Sequence, residues 1–197
     1  IFRWDGIQWS QLGTDINGMG TDECSGWAID LNEHGDIIAI GGVSDPAGTV
    51  RGQTRVYKYV DSEWTQVGSD IPGEAVGDWS GHSVRLSGDG EIVAIGASHN
   101  GPDTGHVRVF SWNGSVWLQQ GSDIDGEHAG DQFGHSVAMS QDGRFVAIGS
   151  PHNSDGGSLA GHVRVLQWNA VDNAWQQVGA DLDGEAAGDR YGAAVAI

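Results

Sequence analysis

The chain repeats one pattern of aromatic and turn residues, and an internal repeat constrains a fold more than any other sequence feature. Four tryptophans begin successive copies, separated by 55, 53 and 58 residues: Trp9, Trp64, Trp117 and Trp175. An aspartate follows each of them six residues later: Asp15, Asp70, Asp123 and Asp181. Glycines recur nine and seventeen residues after each tryptophan: Gly18 and Gly26, Gly73 and Gly81, Gly126 and Gly134, Gly184 and Gly192. Because one such unit cannot bury its apolar faces alone, the copies must pack against one another.

Each copy contains four short segments typical of β-strands, which in the third copy are 134–140, 144–150, 162–168 and 175–179. The second segment is a continuous apolar run, FVAIG, as expected of a strand covered on both faces. A short link that ends in Gly143 predicts a hairpin between the first and second segments. We therefore predict an all-β protein whose four-stranded antiparallel units, repeated every ~55 residues, stack radially as the blades of a β-propeller.

The repeat frame divides the chain into five parts. Residues 1–13 are the outer two strands of a partial blade, 14–68, 69–121 and 122–179 are three blades, and 180–197 begin a further blade. We expect these parts to form one incomplete propeller, because the two ends together supply only three strands of a blade. The missing strand would come from residues beyond those given or from a second chain, and an open sheet edge of this kind favours assembly.

Several motifs in the third copy resemble a known repeat. They are Phe133-Gly134, Ser136-Val137-Ala138, the run from Val146 to Pro151 and the run from Gly161 to Val165. This segment is similar to the FG-GAP repeat of integrin-α-type β-propellers, and the resemblance implies a propeller fold. In the other copies the Phe-Gly pair becomes Ser25-Gly26, Ser80-Gly81 and Tyr191-Gly192. A weaker similarity to WD40 propellers rests on Gly81-His82, the run from Ser87 to Gly90 and Val107-Arg108-Val109, and it implies the same architecture.

Calcium is the one candidate cofactor. FG-GAP propellers are known for calcium loops between the first and second strands of a blade, but here that connection is too short to form one. A different acidic segment recurs before the first strand, and its carboxylates could supply the hard oxygen ligands that calcium prefers. The candidate ligands are Asp125, Glu127 and Asp131 in one copy and Asp183, Glu185 and Asp189 in the next. The alternative is that these carboxylates cap turns by accepting backbone N–H groups.

Histidines and aromatic residues also recur at fixed repeat positions. Three pairs of equivalent histidines are His82 and His135, His99 and His152, and His106 and His162. A joint zinc site would require a pair to face the propeller axis, so the repetition favours a structural role. The two aromatic rows are Trp9, Trp64, Trp117, Trp175 and Trp4, Tyr59, Trp112, Trp168. They could stack on sugars, but aromatics at fixed blade positions are more often packed between blades.

Candidate catalytic groups do not depart from the repeat. Serine, histidine and aspartate are abundant, yet each candidate belongs to the repeated pattern, whereas a catalytic constellation should occur once. We therefore predict that the chain is not an enzyme and has no catalytic residues. Asn113-Gly114-Ser115 is a glycosylation sequon on a tight turn, so Asn113 is the candidate acceptor if the chain is secreted.

The net charge of the chain argues against some classes of partner. With 9 Lys and Arg against 27 Asp and Glu, the net charge is −18, and such a surface repels phosphate backbones and anionic membranes. We therefore expect no nucleic-acid partner, and the apolar runs are too short for membrane insertion. The acidic, nearly lysine-free surface and the calcium-type resemblance favour an extracellular or cell-surface location.

Two functions are consistent with these features. The first is a non-enzymatic extracellular scaffold or adhesive protein that self-assembles into an array or filament and contacts cell-surface or matrix proteins or glycans. The alternative is a discrete propeller that binds a protein or glycan ligand through its variable loops, with calcium as a candidate requirement. Those loops are residues 43–54, 98–105 and 151–161.

Overall fold

The computed structural model describes residues 1–20, 23–43 and 51–197, and it confirms an all-β fold with 45% strand and 2% helix. A hairpin of β1 (Phe2–Trp4) and β2 (Trp9–Gln11) precedes three sheets of one design. In each sheet four consecutive strands pair antiparallel in chain order, as the repeat predicts. Within the described ranges, no helix has the length and apolarity needed to cross a membrane.

The three sheets have equivalent strands. The first contains β3 (Ser25–Leu31), β4 (Ile37–Gly42), β5 (Gln53–Val60), β6 (Glu63–Gln66) and β7 (Ile71–Pro72). The second contains β8 (Ser80–Leu86), β9 (Ile92–Ala97), β10 (His106–Trp112), β11 (Trp117–Gln119) and β12 (Ile124–Asp125), with a one-turn helix α1 (Asn100–Asp103) after β9. The third contains β13 (Ser136–Met139), β14 (Phe145–Ser150), β15 (His162–Asn169), β16 (Ala174–Gln177) and β17 (Leu182–Asp183).

A fifth, two-residue strand in each sheet is absent from the predicted design. β7, β12 and β17 pair with the third strand of their sheets, beyond the end of the fourth strand. Each therefore lies past the repeat boundary drawn at 68, 121 or 179 and ties the following repeat to the sheet before it. The boundaries themselves stay a prediction.

The core lies between neighbouring sheets. Val56, Val84 and Val93 belong to the apolar cluster between the first and second sheets, and Val107, Phe133 and Ile148 belong to the cluster between the second and third. The second strand of every sheet is buried over nearly its whole length, which agrees with its continuous apolar sequence. The sheets are therefore stabilised by stacking face to face.

The repeated glycines lie where two sheets approach most closely. A Cβ atom added to Gly96 would lie 2.2 Å from the carbonyl oxygen of Gly134, and one added to Gly41 would lie 2.2 Å from that of Gly81. Gly149 makes the same contact with Gly192. A side chain at these positions would force the sheets apart, so the close approach explains why the sequence repeats these glycines.

The tryptophans of the outer strands connect successive repeats, as expected of inter-blade packing. The Trp117 indole N–H donates to the Val67 carbonyl at 2.9 Å, and the Trp175 indole donates to the Gln120 carbonyl at 3.0 Å. Trp64 makes the equivalent bond to Leu12. These bonds satisfy the polar end of each indole, while its ring packs beside its aromatic neighbour on the adjacent strand.

Candidate functional site

One backbone position is strained in all four repeats. Non-glycine residues two positions before the repeat glycine have left-handed φ angles: Cys24 (45°), Trp79 (57°), Gln132 (56°) and Arg190 (51°). The carbonyl of each accepts a hydrogen bond from the backbone N–H three residues later. Such conformations cost free energy and concentrate at functional sites. The turn geometry is constant while the side chain differs in every copy, so this position is free to vary in chemistry.

The residue after the repeat glycine lies beside its equivalents in the neighbouring sheets. Trp27 and His82 are the third residues of β3 and β8, and His135 directly precedes β13. These first strands are adjacent across the sheet boundaries. The His82 and His135 ring centroids are 4.8 Å apart, and the Trp27 and His82 centroids are 5.9 Å apart. The first strands also line an open groove that includes His82 and His135. The structure thus brings together side chains that are 53 residues or more apart in sequence.

Three further side chains complete this group. The His99 imidazole stacks on the Trp79 indole with ring centroids 4.1 Å apart and an interplanar angle of 29°. His99 and His152 each follow the second strand of their sheet, at the same end as His82 and His135. We call the whole set the histidine–tryptophan cluster: Trp27, Trp79, His82, His99, His135 and His152.

Burial favours the neutral form of three histidines in the cluster, because it lowers the pKa values of His82, His135 and His152. Burial, followed by the charge of the neighbouring His135 ring, lowers the pKa of His82 to about 4, although the hydrogen bond to the His135 carbonyl raises it. Burial also lowers the pKa of His135, followed by the charge of His152. Burial also lowers the pKa of His152, followed by the charge of the nearby Arg190. Neutral imidazoles both donate and accept hydrogen bonds, so the cluster can bind polar ligands.

Two of the six predicted calcium ligands, one in each set, cap turns. The Asp131 carboxylate is buried and accepts hydrogen bonds from the His128 backbone N–H at 3.2 Å and the Asn153 amide at 2.9 Å. Asp189 accepts the Ala186 N–H at 2.8 Å in the equivalent turn. Capping therefore accounts for these two carboxylates.

The other four predicted ligands are at different places. Asp125 and Asp183 lie at the ends of β12 and β17 and are exposed, as is Glu185. Among the described residues, two groups could hold a metal ion. Glu127 lies with Asp155 and His162 in one of them, and the second is Glu74, His106 and Asp123. Acidic residues of the chain could therefore hold a metal, but in groups that contain histidine.

The glycosylation candidate lies on an exposed turn between β10 and β11. The side-chain oxygen of Asn113 accepts hydrogen bonds from the backbone N–H groups of Ser115 and Val116, both at 2.9 Å. The amide nitrogen to which a glycan would attach is not used by these bonds. Glycosylation stays a prediction.

Comparisons with known proteins agree with the fold. Residues 123–166 match the FG-GAP repeat family. No curated protein matches the chain. A solved structure of similar fold is a provisionally assigned 6-phosphogluconolactonase from Bacteroides uniformis, with 14% identity and a TM-score of 0.62 over 92% of this chain and 47% of that one.

Two further solved structures are similar to the chain. A hypothetical selenium-binding protein from Sulfolobus tokodaii has 15% identity and a TM-score of 0.58 over 84% of this chain and 43% of that one. A eukaryotic initiation factor has 11% identity and a TM-score of 0.54 over 94% of this chain and 42% of that one. The chain thus spans less than half the length of each of these proteins.

The prediction that the chain is not an enzyme is wrong. The similar structures include a propeller described as a 6-phosphogluconolactonase, so an architecture of this kind is compatible with enzymatic function. The prediction assumed that each candidate group follows the repeat, but the position occupied by Trp79, Gln132 and Arg190 differs in every copy. At 14% identity the likeness shows the fold alone. It means that enzymatic function is not excluded, but it does not assign a reaction to the chain. The chain has a β-propeller fold and carries an FG-GAP repeat at residues 123–166.

Proposed function

We propose that the chain is the ligand-binding part of a β-propeller and that the histidine–tryptophan cluster binds a sugar acid. The observation that carries this proposal is the convergence of equivalent side chains from different repeats at one end of the first strands. His82 and His135 are in contact there, and Trp79 stacks on His99.

The chemistry of the cluster suits a ligand with both apolar and polar faces. Trp27 is 53% exposed and Trp79 is partly exposed, so their rings can stack on the C–H face of a pyranose. The neutral imidazoles can exchange hydrogen bonds with hydroxyl groups. Arg190 is exposed, and its charge lowers the pKa values of His135 and His152, which places a cation beside the cluster to pair with a carboxylate.

The comparison supports the same ligand class. A protein of similar fold is described as a 6-phosphogluconolactonase, and that name specifies a lactone of a sugar acid. Ligand sites of this kind combine aromatic walls with a few convergent polar groups. The cluster has both.

Calorimetric titration of the chain with D-gluconate and D-glucuronate tests the proposal. We expect saturable binding and at least a tenfold loss of affinity in Trp79→Ala and in His99→Ala, with circular dichroism confirming the fold of each variant. Trp9→Ala is the matched control, because Trp9 is an exposed tryptophan of the leading hairpin, and its affinity should not change. Equal losses in Trp79→Ala and Trp9→Ala, or no binding of either acid, would refute the proposal. Hydrolysis of δ-gluconolactone is measured alongside, because the fold also supports enzymes.

Structural assembly is the second candidate, and one observation favours it. Apolar side chains are exposed on the first strand of the first sheet, at Ile29 (61%) and Leu31 (43%), and at the other end of the stack, at Leu182 (50%) and Tyr191 (46%). Exposed apolar sheet faces bind further sheets, either of the same protein or of another copy. An extracellular array or filament would use these faces.

Light scattering and negative-stain electron microscopy of the purified chain test this second candidate. We expect concentration-dependent association that Ile29→Lys weakens and that Val171→Lys, at a 93% exposed loop position, leaves unchanged. A chain that stays monomeric at high concentration would refute assembly. Calcium dependence at the six predicted carboxylates stays a proposal that equilibrium dialysis with Ca²⁺ tests.

A further inference from the structure

Two equivalent histidines are buried without hydrogen-bond partners. His106 begins β10 and His162 begins β15, and their side chains are 1% and 0% exposed. Within the described part of the chain, both ring nitrogens of His162 lack a hydrogen-bond partner, and so does the Nε2 atom of His106. An unsatisfied buried polar group is costly, so such groups in a folded protein require an explanation.

Carboxylates face both imidazoles, in arrangements that share an equivalent glutamate and differ in the aspartate. Glu74 Oε2 lies 3.9 Å from His106 Nδ1, and Asp123 completes a group whose ligand atoms lie within 4.8 Å of one another. In the next repeat Asp181 Oδ2 lies 3.7 Å from His162 Nδ1, and Glu127 and Asp155 form a group with His162 within the same limit. The equivalent members of the two repeats are Glu74 and Glu127, His106 and His162, Asp123 and Asp181.

The separations are slightly longer than those of ligands around a zinc ion. Distances of 3.7 and 3.9 Å are too long for a hydrogen bond. Two ligands about 2.0–2.2 Å from a tetrahedral zinc ion lie roughly 3.3–3.6 Å apart, so a small closure would bring the three ligands of each group to an ion whose fourth position is open to water. One imidazole nitrogen with carboxylate oxygens is a ligand set that zinc accepts, whereas calcium prefers oxygen alone.

A glutamine orients each aspartate. The Gln119 amide donates to Asp123 Oδ1 at 2.6 Å, and Gln177 donates to Asp181 Oδ1 in the same way. Each aspartate therefore has one oxygen engaged by its glutamine, and in the third sheet the other oxygen, Asp181 Oδ2, faces the histidine. The same bond joins Gln11 to Asp15 and Gln66 to Asp70, so it orients this aspartate in every repeat and can serve a metal site where a histidine is also present.

The first repeat shows what happens without the histidine. Gln53 occupies the equivalent position, and Met19 replaces the glutamate. Glu23 enters instead, where it accepts a hydrogen bond from the Gln53 amide at 2.7 Å and forms an ion pair with Arg55. The protein's own groups satisfy this position, which they do not do at His106 and His162.

Charge also favours a cation at the two histidine positions. Arg164 is the guanidinium nearest to Glu127, at 3.7 Å, and it lies over the Phe133 ring. It balances one of the three carboxylates at His162, which are Glu127, Asp155 and Asp181. Arg108 is 3.8 Å from Glu74 and balances one of the two carboxylates at His106. Both positions keep negative charge that a divalent ion would neutralise.

We propose that the chain binds two zinc ions between its repeats, one held by Glu74, His106 and Asp123 and one held by Glu127, Asp155 and His162, with Asp181 beside it. The ions link the third strand of one sheet to the segment that enters the next. Their role is structural, and they are separate from the histidine–tryptophan cluster.

Metal analysis by plasma mass spectrometry, after chelation and dialysis against Zn²⁺, tests the proposal. We expect two zinc ions per chain, one in His106→Gln, one in His162→Gln and none in the double variant. Glutamine is the replacement because the chain itself has Gln53 at the equivalent position. Should a histidine variant fail to fold, Glu127→Gln, which changes a partly exposed side chain, replaces it and should lower the zinc content by one.

His82→Gln is the matched control, since His82 is a repeated histidine with no facing carboxylate group in the described structure. The difference between each site variant and this control gives the zinc held by that site. Zinc content that does not change in either site variant would overturn the proposal, as would displacement of all bound zinc by an equal concentration of Ca²⁺. A zinc loss in His82→Gln equal to that in His162→Gln would also overturn it.

Discussion

The replacement of Gly96 by alanine should separate the second and third sheets. Gly96 has an ordinary backbone conformation, so alanine introduces no φ strain, and the effect of Gly96→Ala is steric alone. The new Cβ would lie 2.2 Å from the Gly134 carbonyl oxygen and 2.3 Å from Ser83 Oγ. The serine hydroxyl can rotate away, but the carbonyl belongs to the backbone of the next sheet and must move by about 1 Å to reach ordinary contact.

We expect this movement to destabilise the chain by about 3 kcal/mol. Overpacking a well-packed core costs about 1–3 kcal/mol, and the upper end applies because backbone rather than side chain must yield. The displacement also loosens the apolar cluster around Phe133, which is completely buried between the same two sheets. For a chain of this size, 3 kcal/mol corresponds to a fall in the melting temperature of roughly 6–12 °C.

Urea unfolding followed by circular dichroism measures the effect. The control is Gly20→Ala, because a Cβ at Gly20 would meet nothing within 4 Å and its φ is ordinary. This variant should differ from the parent by less than about 0.5 kcal/mol. If Gly96→Ala unfolds within 1 kcal/mol of the parent, the glycine contact does not set the sheet separation, and the explanation given for the repeat is wrong.

Three further predictions concern the core and the histidines. Trp117→Phe should cost about 1–2 kcal/mol in urea unfolding, because it removes the bond to the Val67 carbonyl, whereas Trp9→Phe in the exposed hairpin should cost less than about 0.5 kcal/mol. Phe133→Ala should cost about 3–5 kcal/mol in the same assay, because its ring is 0% exposed; a loss below 1 kcal/mol would contradict the assigned core. The folded pKa of His82 lies below its unfolded value, so stability is present above about pH 6.5 and is lost as pH falls towards 4. Melting temperatures recorded from pH 7 to pH 4 should therefore decline less in His82→Gln than in the parent, and identical slopes would exclude this histidine as a cause.

The fold could be predicted from the sequence because every repeat contains the same strand and turn signals. Buried second strands appear as continuous apolar runs, and hairpin links appear as short segments ending in glycine. The fifth strand of each sheet could not be predicted in this way. β7 is only Ile71–Pro72, and two residues show no periodicity, while a proline argues against a strand.

The candidate site was harder to predict because it depends on which residues meet between sheets. His82 and His135 were expected to be structural, since equivalent residues of different blades are far apart unless they face the axis. The structure places them side by side, because the first strands of neighbouring sheets are adjacent. A usable signal was present nonetheless: Trp79 and Gln132 occupy a position that varies between copies beside glycines that do not. The acidic segment is ambiguous in sequence, because carboxylates such as Asp131 that cap turns have the same spacing as ligands, and calcium binding there stays a prediction.

The paired glycines have a consequence for how such a chain can change. Since bare backbone, rather than interlocking side chains, sets the spacing at the contact of Gly41 with Gly81, Gly96 with Gly134 and Gly149 with Gly192, every junction has the same geometry. The glycine contacts at a junction therefore do not depend on the loops of the two units. Duplication or loss of a whole unit would preserve every junction, while mutation at the strained position before each glycine alters only the surface presented. The residues that set the packing of the sheets are therefore different from the residues that set the surface offered to a ligand.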